Sequence, residues 1–203
     1  MLKLLFDLDG TLTAEESVIA IVRAFGLDES IVAATRSACV AGEDYRENFG
    51  RRVDALRSLP VNDVAGVVAN LPLRCGLVDF VNRHADRCCI VSNNLDCWCS
   101  ELLGKFRCAH HLSRAAVEGD RLMGIAEFAD KPAMVHSLRN SGHRTVYVGD
   151  GANDLEAMRE ADLAIAIGFA ENPCPALADV ADYTAQSETE LLNILEKIIH
   201  EEI

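Results

Sequence analysis

The chain has no surplus of basic residues, no apolar run long enough to cross a bilayer, no C-x-x-C pair and no internal repeat. Each absence closes off a class of function. A formal net charge of −13 runs against nucleic acid and anionic membranes as partners, since both attract basic surfaces. A small phosphorylated molecule stays compatible with that charge, because a bound cation and one or two basic side chains reverse the field inside a cleft. Lys3 and Asp7 interrupt the only apolar N-terminal stretch, and no uninterrupted run approaches the roughly 20 residues of a membrane span. A cytoplasmic protein without a signal peptide is expected. Cys88 and Cys89 are adjacent on an apolar stretch, and none of the eight cysteines has redox or zinc-motif spacing, so reduced core thiols are expected. Cys97, Cys99, Cys108, His110 and His111 are residue types that suit zinc, in a spacing that fits no standard structural site.

What is present is a globular composition, half hydrophobic and a quarter charged, which leaves little room for extended disorder. The 203 residues favour one full domain with space for an inserted subdomain. Leu4-Leu5-Phe6 reads as a buried strand. After Thr13, residues Val18, Ile21, Val22 and Phe25 recur at helical spacing, with Thr13 and Glu16 placed for a capping box and Gly26 placed to end the helix. Further helices are expected over Ile31 to Cys39, Tyr45 to Leu56 and Asn62 to Ala69. Beyond Leu71-Pro72 the pattern alternates: helix near Val78 to His84, strand near Arg87 to Val91, helix near Leu95 to Lys105. Short strands near His110 to Leu112 and Ala115 to Val117 lead into a Glu118-Gly119-Asp120 hairpin turn before Arg121 to Gly124. A helix from Lys131-Pro132, strand Thr145 to Val148, helix Asp154 to Ala161, strand Leu163 to Ile167 and helix Glu188 to His200 complete the chain. The fold class is α/β: a Rossmann-like, mostly parallel sheet with helices on both faces, and a small helical cap (14–72) inserted in a core of 1–13 and 73–203.

In such folds reactive groups gather at the carboxyl ends of the strands. Asp7 and Asp9 stand where the first strand stops, and Asp150 and Asp154 where the strand ending Val148-Gly149 stops. Clustered carboxylates repel each other and are costly to bury without a cation, so two acidic strand ends predict a Mg2+ site.

Four separated segments then resemble the haloacid dehalogenase superfamily of phosphatases: Asp7-Leu8-Asp9-Gly10-Thr11, Val91-Ser92-Asn93, Lys131, and Gly149-Asp150-Gly151-Ala152-Asn153-Asp154. The match runs through nearly the whole chain. The resemblance implies Asp7 as nucleophile and Asp9 as general acid and base, with Mg2+ held by Asp7, the Asp9 carbonyl and Asp150. Asp154 would orient metal waters or Lys131. Ser92, the Asn93 backbone, Thr11 and Lys131 would face phosphate, and Asn153 belongs to the same motif. The inserted segment resembles the cap of the phosphoserine phosphatase branch, which implies Glu16 on a substrate amino group, Arg52 on its carboxylate and Tyr45 lining the pocket. Two departures stand out: Asp9-Gly10-Thr11 where that branch has D-S-T, and Ser92-Asn93-Asn94 where it has S-G-G. A phosphoserine phosphatase of L-serine biosynthesis is expected, with a phosphatase or phosphotransferase for another small phosphomonoester, such as a sugar phosphate or nucleotide, as the alternative. Oligomeric state is not legible.

Overall fold

The computed structural model describes residues 1–28, 30–32, 45–169 and 174–201. Among them, seven strands share one sheet: β1 (Leu2–Phe6), β2 (Cys88–Leu95), β3 (Ala109–Glu118), β4 (Arg121–Glu127), β5 (Arg144–Gly149), β6 (Leu163–Ile167) and β7 (Tyr183–Ala185). Their spatial order is β4-β3-β2-β1-β5-β6-β7, and every pairing is parallel except β3 with β4. The chain builds outward from β1 first on one side and then on the other. This reversal opens a crevice at the carboxyl ends of β1, β2 and β5.

The described helices are α1 (Ser17–Phe25), α2 (Tyr45–Leu56), α3 (Val61–Ala69), α4 (Cys75–Arg83), α5 (Asp96–Leu103), α6 (Lys131–Asn140), α7 (Leu155–Glu160), α8 (Pro175–Ala178) and α9 (Glu188–His200). Side chains alternate across a strand, so β1 feeds two apolar layers. Leu2, Leu4 and Phe6 pack with Phe80 of α4, Trp98 of α5 and Leu195 of α9, while Leu5 joins Val135 of α6, Met158 of α7 and Leu177 of α8 on the opposite face. Local signals set the ends. Gly26 closes α1 at φ 60°, a left-handed conformation that suits glycine, and Asp130 caps α6 by accepting the Ala133 N–H at 2.9 Å.

The chain enters and leaves the helical segment side by side: Thr13 bridges Leu73, Ala14 N–H donates to the Pro72 carbonyl at 2.7 Å, and Arg74 N–H to that of Leu12 at 3.0 Å. The described residues of this segment share the core of the sheet. Val18, Ile21, Phe49, Leu56, Val64 and Val68 belong to the same apolar cluster as Leu2, Leu4 and Phe6. The tip of the β3–β4 hairpin reaches up to it as well, where the Asp120 carboxylate accepts the Asn62 N–H at 2.8 Å at the start of α3. Above the crevice stands α2. Its Phe49 meets Phe128 edge-on at 6.2 Å between centroids, and its Arg46 pairs with Asp130 at 3.3 Å.

Several expectations need correction. The Thr13–Glu16 capping box does not form, because the Thr13 hydroxyl accepts the Gly10 N–H at 3.1 Å and donates to the Glu15 carbonyl, and Glu16 makes no side-chain cap bond. The two short strands near His110 and Ala115 are one strand, β3. β2 does not stop at Val91 but runs on to Leu95 through an irregularity between Ser92 and Leu95. β7 and α8 were not foreseen; at three and four residues they are too short for a periodic signal. The helix expected over 31–39 lies, beyond Val32, outside the described residues, as does the Tyr45 side chain. Among the described residues, Asp7, Asp150 and Asp154 are the one trio of potential ligands whose donor atoms lie within 4.8 Å of one another. Burial raises the thiols of Cys88, Cys97, Cys99 and Cys108, which suits reduced packing residues.

Candidate active site

The carboxyl ends of β1, β2 and β5 open into a cavity of about 100 Å³ lined by carboxylates. Asp7 and Asp9 reach it from β1, Ser92 and Asn94 from β2, Asp150, Gly151 and Asn153 from the loop after β5, and Glu16, Phe49 and Arg52 from the inserted segment. Lys131, the first residue of α6, approaches Asp7 from below. Its ammonium lies 2.8 Å from Asp7 Oδ1 and 2.7 Å from Asp154 Oδ1, and only 1% of its side chain is exposed. A lysine is left this deeply buried only where its charge is matched.

Asp154 is fully buried and its acceptor positions are filled by the protein. Lys131 and the Tyr147 hydroxyl (2.8 Å) donate to Oδ1, while the N–H groups of Asp150 (3.2 Å) and Gly151 (3.1 Å) donate to Oδ2. Asp154 therefore shapes the loop after β5 and aims Lys131 at Asp7. Gly149 makes room for it, since a Cβ there would collide with the Asp154 carboxylate. Gly10 answers a similar demand at φ 75°, where a Cβ would strike Asp150.

Two side chains of the motifs expected to face phosphate bond within the protein. The Thr11 hydroxyl spends its single proton on Asp150 Oδ1 at 2.9 Å, so Thr11 steers a carboxylate instead of donating to a ligand. The Asn93 side-chain amide donates to the Ala129 carbonyl at 2.9 Å, tying β2 to the loop that precedes Lys131. Ser92, Asn153, Glu16 and Arg52 do line the cavity. The Arg52 guanidinium lies 5.4 Å from the Phe49 ring and is buried. Tyr147, Ser17 and Asn94 were missed: their hydroxyl and amide groups contact Asp154 or Asp9, and strand and helix periodicity reports burial without naming a partner.

The site carries an excess of acidic groups. Asp7, Asp9, Glu16, Asp150 and Asp154 crowd around Lys131 and Arg52, five acids for two bases. Burial, reinforced by Asp154 and against the pull of Lys131, pushes Asp7 up to about 7. Burial, with Asp9 and Asp7 adding to it, pushes Glu16 up to about 8. Burial also raises Asp150 well above the usual carboxylate range, with Asp7 and Glu16 contributing and the Thr11 hydroxyl opposing. Buried acids short of positive charge, offering hard oxygen donors, fit a hard divalent cation.

This has a consequence for stability. The folded, metal-free chain holds protons on Asp7 and Glu16 that the unfolded chain releases above about pH 4. Metal-free stability should therefore fall as pH rises from about 4 through 8, where these groups must ionise beside one another. Added Mg2+ should restore it, with a thermal shift that grows with pH, because cation and protons compete for the same oxygens. Scanning calorimetry with and without Mg2+ at several pH values checks this; a shift independent of pH would argue against cation binding at these acids.

Comparison with known proteins agrees with this architecture. A family model described as haloacid dehalogenase-like hydrolase matches residues 4–159, and the chain belongs to that family. It is 30% identical to phosphoserine phosphatase SerB2 of Mycobacterium tuberculosis over 88% of this chain, and spans about half (46%) of that protein's length. It is 25% identical to a phosphoserine phosphatase of Methanocaldococcus jannaschii, covering 80% of this chain and 83% of the relative. A solved phospho-aspartyl intermediate analogue of phosphoserine phosphatase superposes with a TM-score of 0.81 at 26% identity, covering 97% of this chain and 99% of that one. A substrate-bound phosphoserine phosphatase complex superposes equally well, over 97% and 98%. No helix among the described residues is long and apolar enough to cross a membrane.

Proposed function

We propose that this chain is a Mg2+-dependent phosphomonoester hydrolase whose substrate is phosphoserine and whose product is L-serine. The observation that carries the reading is the pairing, in one small cavity, of Asp7, Asp9 and Asp150 at the strand ends with Glu16 and Arg52 from the inserted segment. The first group suits phosphoryl transfer. The second offers a carboxylate and a guanidinium to a zwitterion, and an arginine fork matches a carboxylate well. A cavity of about 100 Å³ is small beside the roughly 300–1,000 Å³ pockets of larger ligands, which disfavours nucleotides.

In this reading an Asp7 carboxylate oxygen attacks phosphorus, the ester P–O bond breaks, and its electron pair leaves on the serine oxygen, which takes a proton from the Asp9 carboxyl. Water then attacks the aspartyl-phosphate, surrendering a proton to Asp9, and the bond to Asp7 breaks. Asp7, Asp150 and the Asp9 carbonyl would hold Mg2+, which when bound would supply charge stabilisation for the transferring group. Lys131 restrains Asp7 and offsets phosphate charge. Ser92 and the backbone beside it offer donors. Residues 14–72 act as the cap, and α2, resting on the core through Phe49 and Arg46, is the element whose movement admits substrate.

The test is phosphate release in Mg2+ from phosphoserine, phosphothreonine, sugar phosphates and nucleotides. Phosphoserine should have the highest kcat/KM, and Glu16→Gln and Arg52→Lys should each raise KM for it. A low rank for phosphoserine, with another ester hydrolysed well, would remove the roles of Glu16 and Arg52 while leaving the hydrolase.

A further inference from the structure

Asn94 carries chemistry that neither its motif nor its place in a strand explains. It lies within an irregularity in β2, where the register against β3 jumps between Ser92 and Leu95, and such a bulge re-aims side chains. Asn93 and Asn94 consequently point to different neighbours. The Asn94 carbonyl oxygen accepts the N–H of Leu95 at 2.8 Å, which fixes the amide's orientation. Its NH2 group is thereby presented to the cavity. One bond runs from it to Asp9 Oδ2 at 2.7 Å and another to the Ser17 hydroxyl at 2.8 Å. Ser17, the first residue of α1, closes the ring: its N–H donates to Asp9 Oδ1 at 3.0 Å, and its hydroxyl lies 3.2 Å from Asp9 Oδ2.

Both oxygens of Asp9 are thus held, one from the core sheet and one from the inserted segment. Asn94 and Ser17 are buried, so water does not compete for these bonds. A carboxylate on a free side chain samples several rotamers, whereas proton transfer to a leaving oxygen tolerates little misplacement. From this geometry we infer that Asn94, with Ser17, is a positioning residue that locks Asp9 in the orientation needed to protonate the leaving group. The inference rests on the hydrolase reading and on Asp9 as its general acid. It assigns a role to a residue that touches neither the phosphoryl group nor the cation.

A positioning role has a kinetic signature that a merely structural one lacks. A phenolate leaving group benefits from a proton, while 4-nitrophenolate departs well without one. Loss of Asp9 alignment should therefore be selective for the poorer leaving group. General acid catalysis contributes roughly 10²- to 10⁴-fold, and misalignment forfeits part of it. For Asn94→Ala we expect kcat/KM with phenyl phosphate to fall about 10- to 100-fold, and that with 4-nitrophenyl phosphate far less. The inhibition constant of inorganic phosphate should not move. Ser17→Ala, which removes a hydroxyl and opens almost no space, should show the same selectivity more weakly and serves if Asn94→Ala folds poorly.

Equal losses with both esters, or no loss with either, would overturn the role of Asn94 while leaving the hydrolase intact. Wild-type protein that releases phosphate from none of these esters or from phosphoserine would overturn the hydrolase reading, and this inference with it.

Discussion

Replacing Asp7 by asparagine is expected to reduce phosphate release by at least about 10⁴-fold, because an amide oxygen does not form the phosphoenzyme and no neighbouring carboxylate occupies its position. The fold should survive the change. Asp7 sits at the end of a strand whose apolar residues do the packing, and its acid already holds its proton up to about pH 7 in the metal-free protein. Asparagine resembles that neutral form. It gives up the contact with Lys131 but also relieves repulsion from Asp154 and Asp9, and Lys131 keeps its bond to Asp154. The metal-free melting temperature should accordingly change little, while the stabilisation by Mg2+ should largely disappear. Turnover assays together with thermal melts in and out of Mg2+ check both halves. Retained turnover would remove Asp7 from its role, and lost folding would show that the acid serves the scaffold.

The contrast between Asp7 and its less obvious neighbours shows which parts of the site are legible in a sequence. Acids that end an apolar strand conflict with burial, and that conflict is visible without coordinates: Asp7, Asp9, Asp150 and Asp154 do gather at the ends of β1 and β5. Strongly periodic helices such as α1, α2, α3 and α9 were legible for the same reason, since their apolar spacing reports a buried face. Hydrogen-bond partners are different. Tyr147 reads as another core residue of β5, and nothing in Thr145-Val146-Tyr147 says that its hydroxyl meets Asp154. Likewise nothing in the sequence says that the Thr11 hydroxyl meets Asp150 or that the Asn93 side chain meets the Ala129 carbonyl. Those choices are made by long-range packing and by the bulge in β2, neither of which leaves a periodic trace. The inserted segment was readable as helical, but its sharing of the sheet's apolar core was not, because periodicity identifies a buried face without saying what buries it.

Lys131→Ala is expected to be the most destabilising of the single changes considered, and the reason is charge more than volume. The ammonium bridges Asp7 and Asp154 and is almost wholly enclosed, so its loss leaves two buried acids facing each other without compensation. Removing one partner of such an arrangement typically costs about 3–5 kcal/mol, which for a chain of this size lowers the melting temperature by roughly 6–20 °C. Lys131→Met separates the causes, since methionine retains much of the apolar stem. If charge dominates, Met and Ala should be similarly destabilised in metal-free buffer at pH 8. Both deficits should shrink toward pH 5.5, because Asp7 takes up a proton more readily once the lysine that lowers its pKa is gone. Turnover should fall steeply in both variants. Denaturant titrations at the two pH values decide the matter: a methionine variant as stable as the parent at pH 8 would mean that Lys131 fills space, and that the acids around it are balanced by something other than its charge.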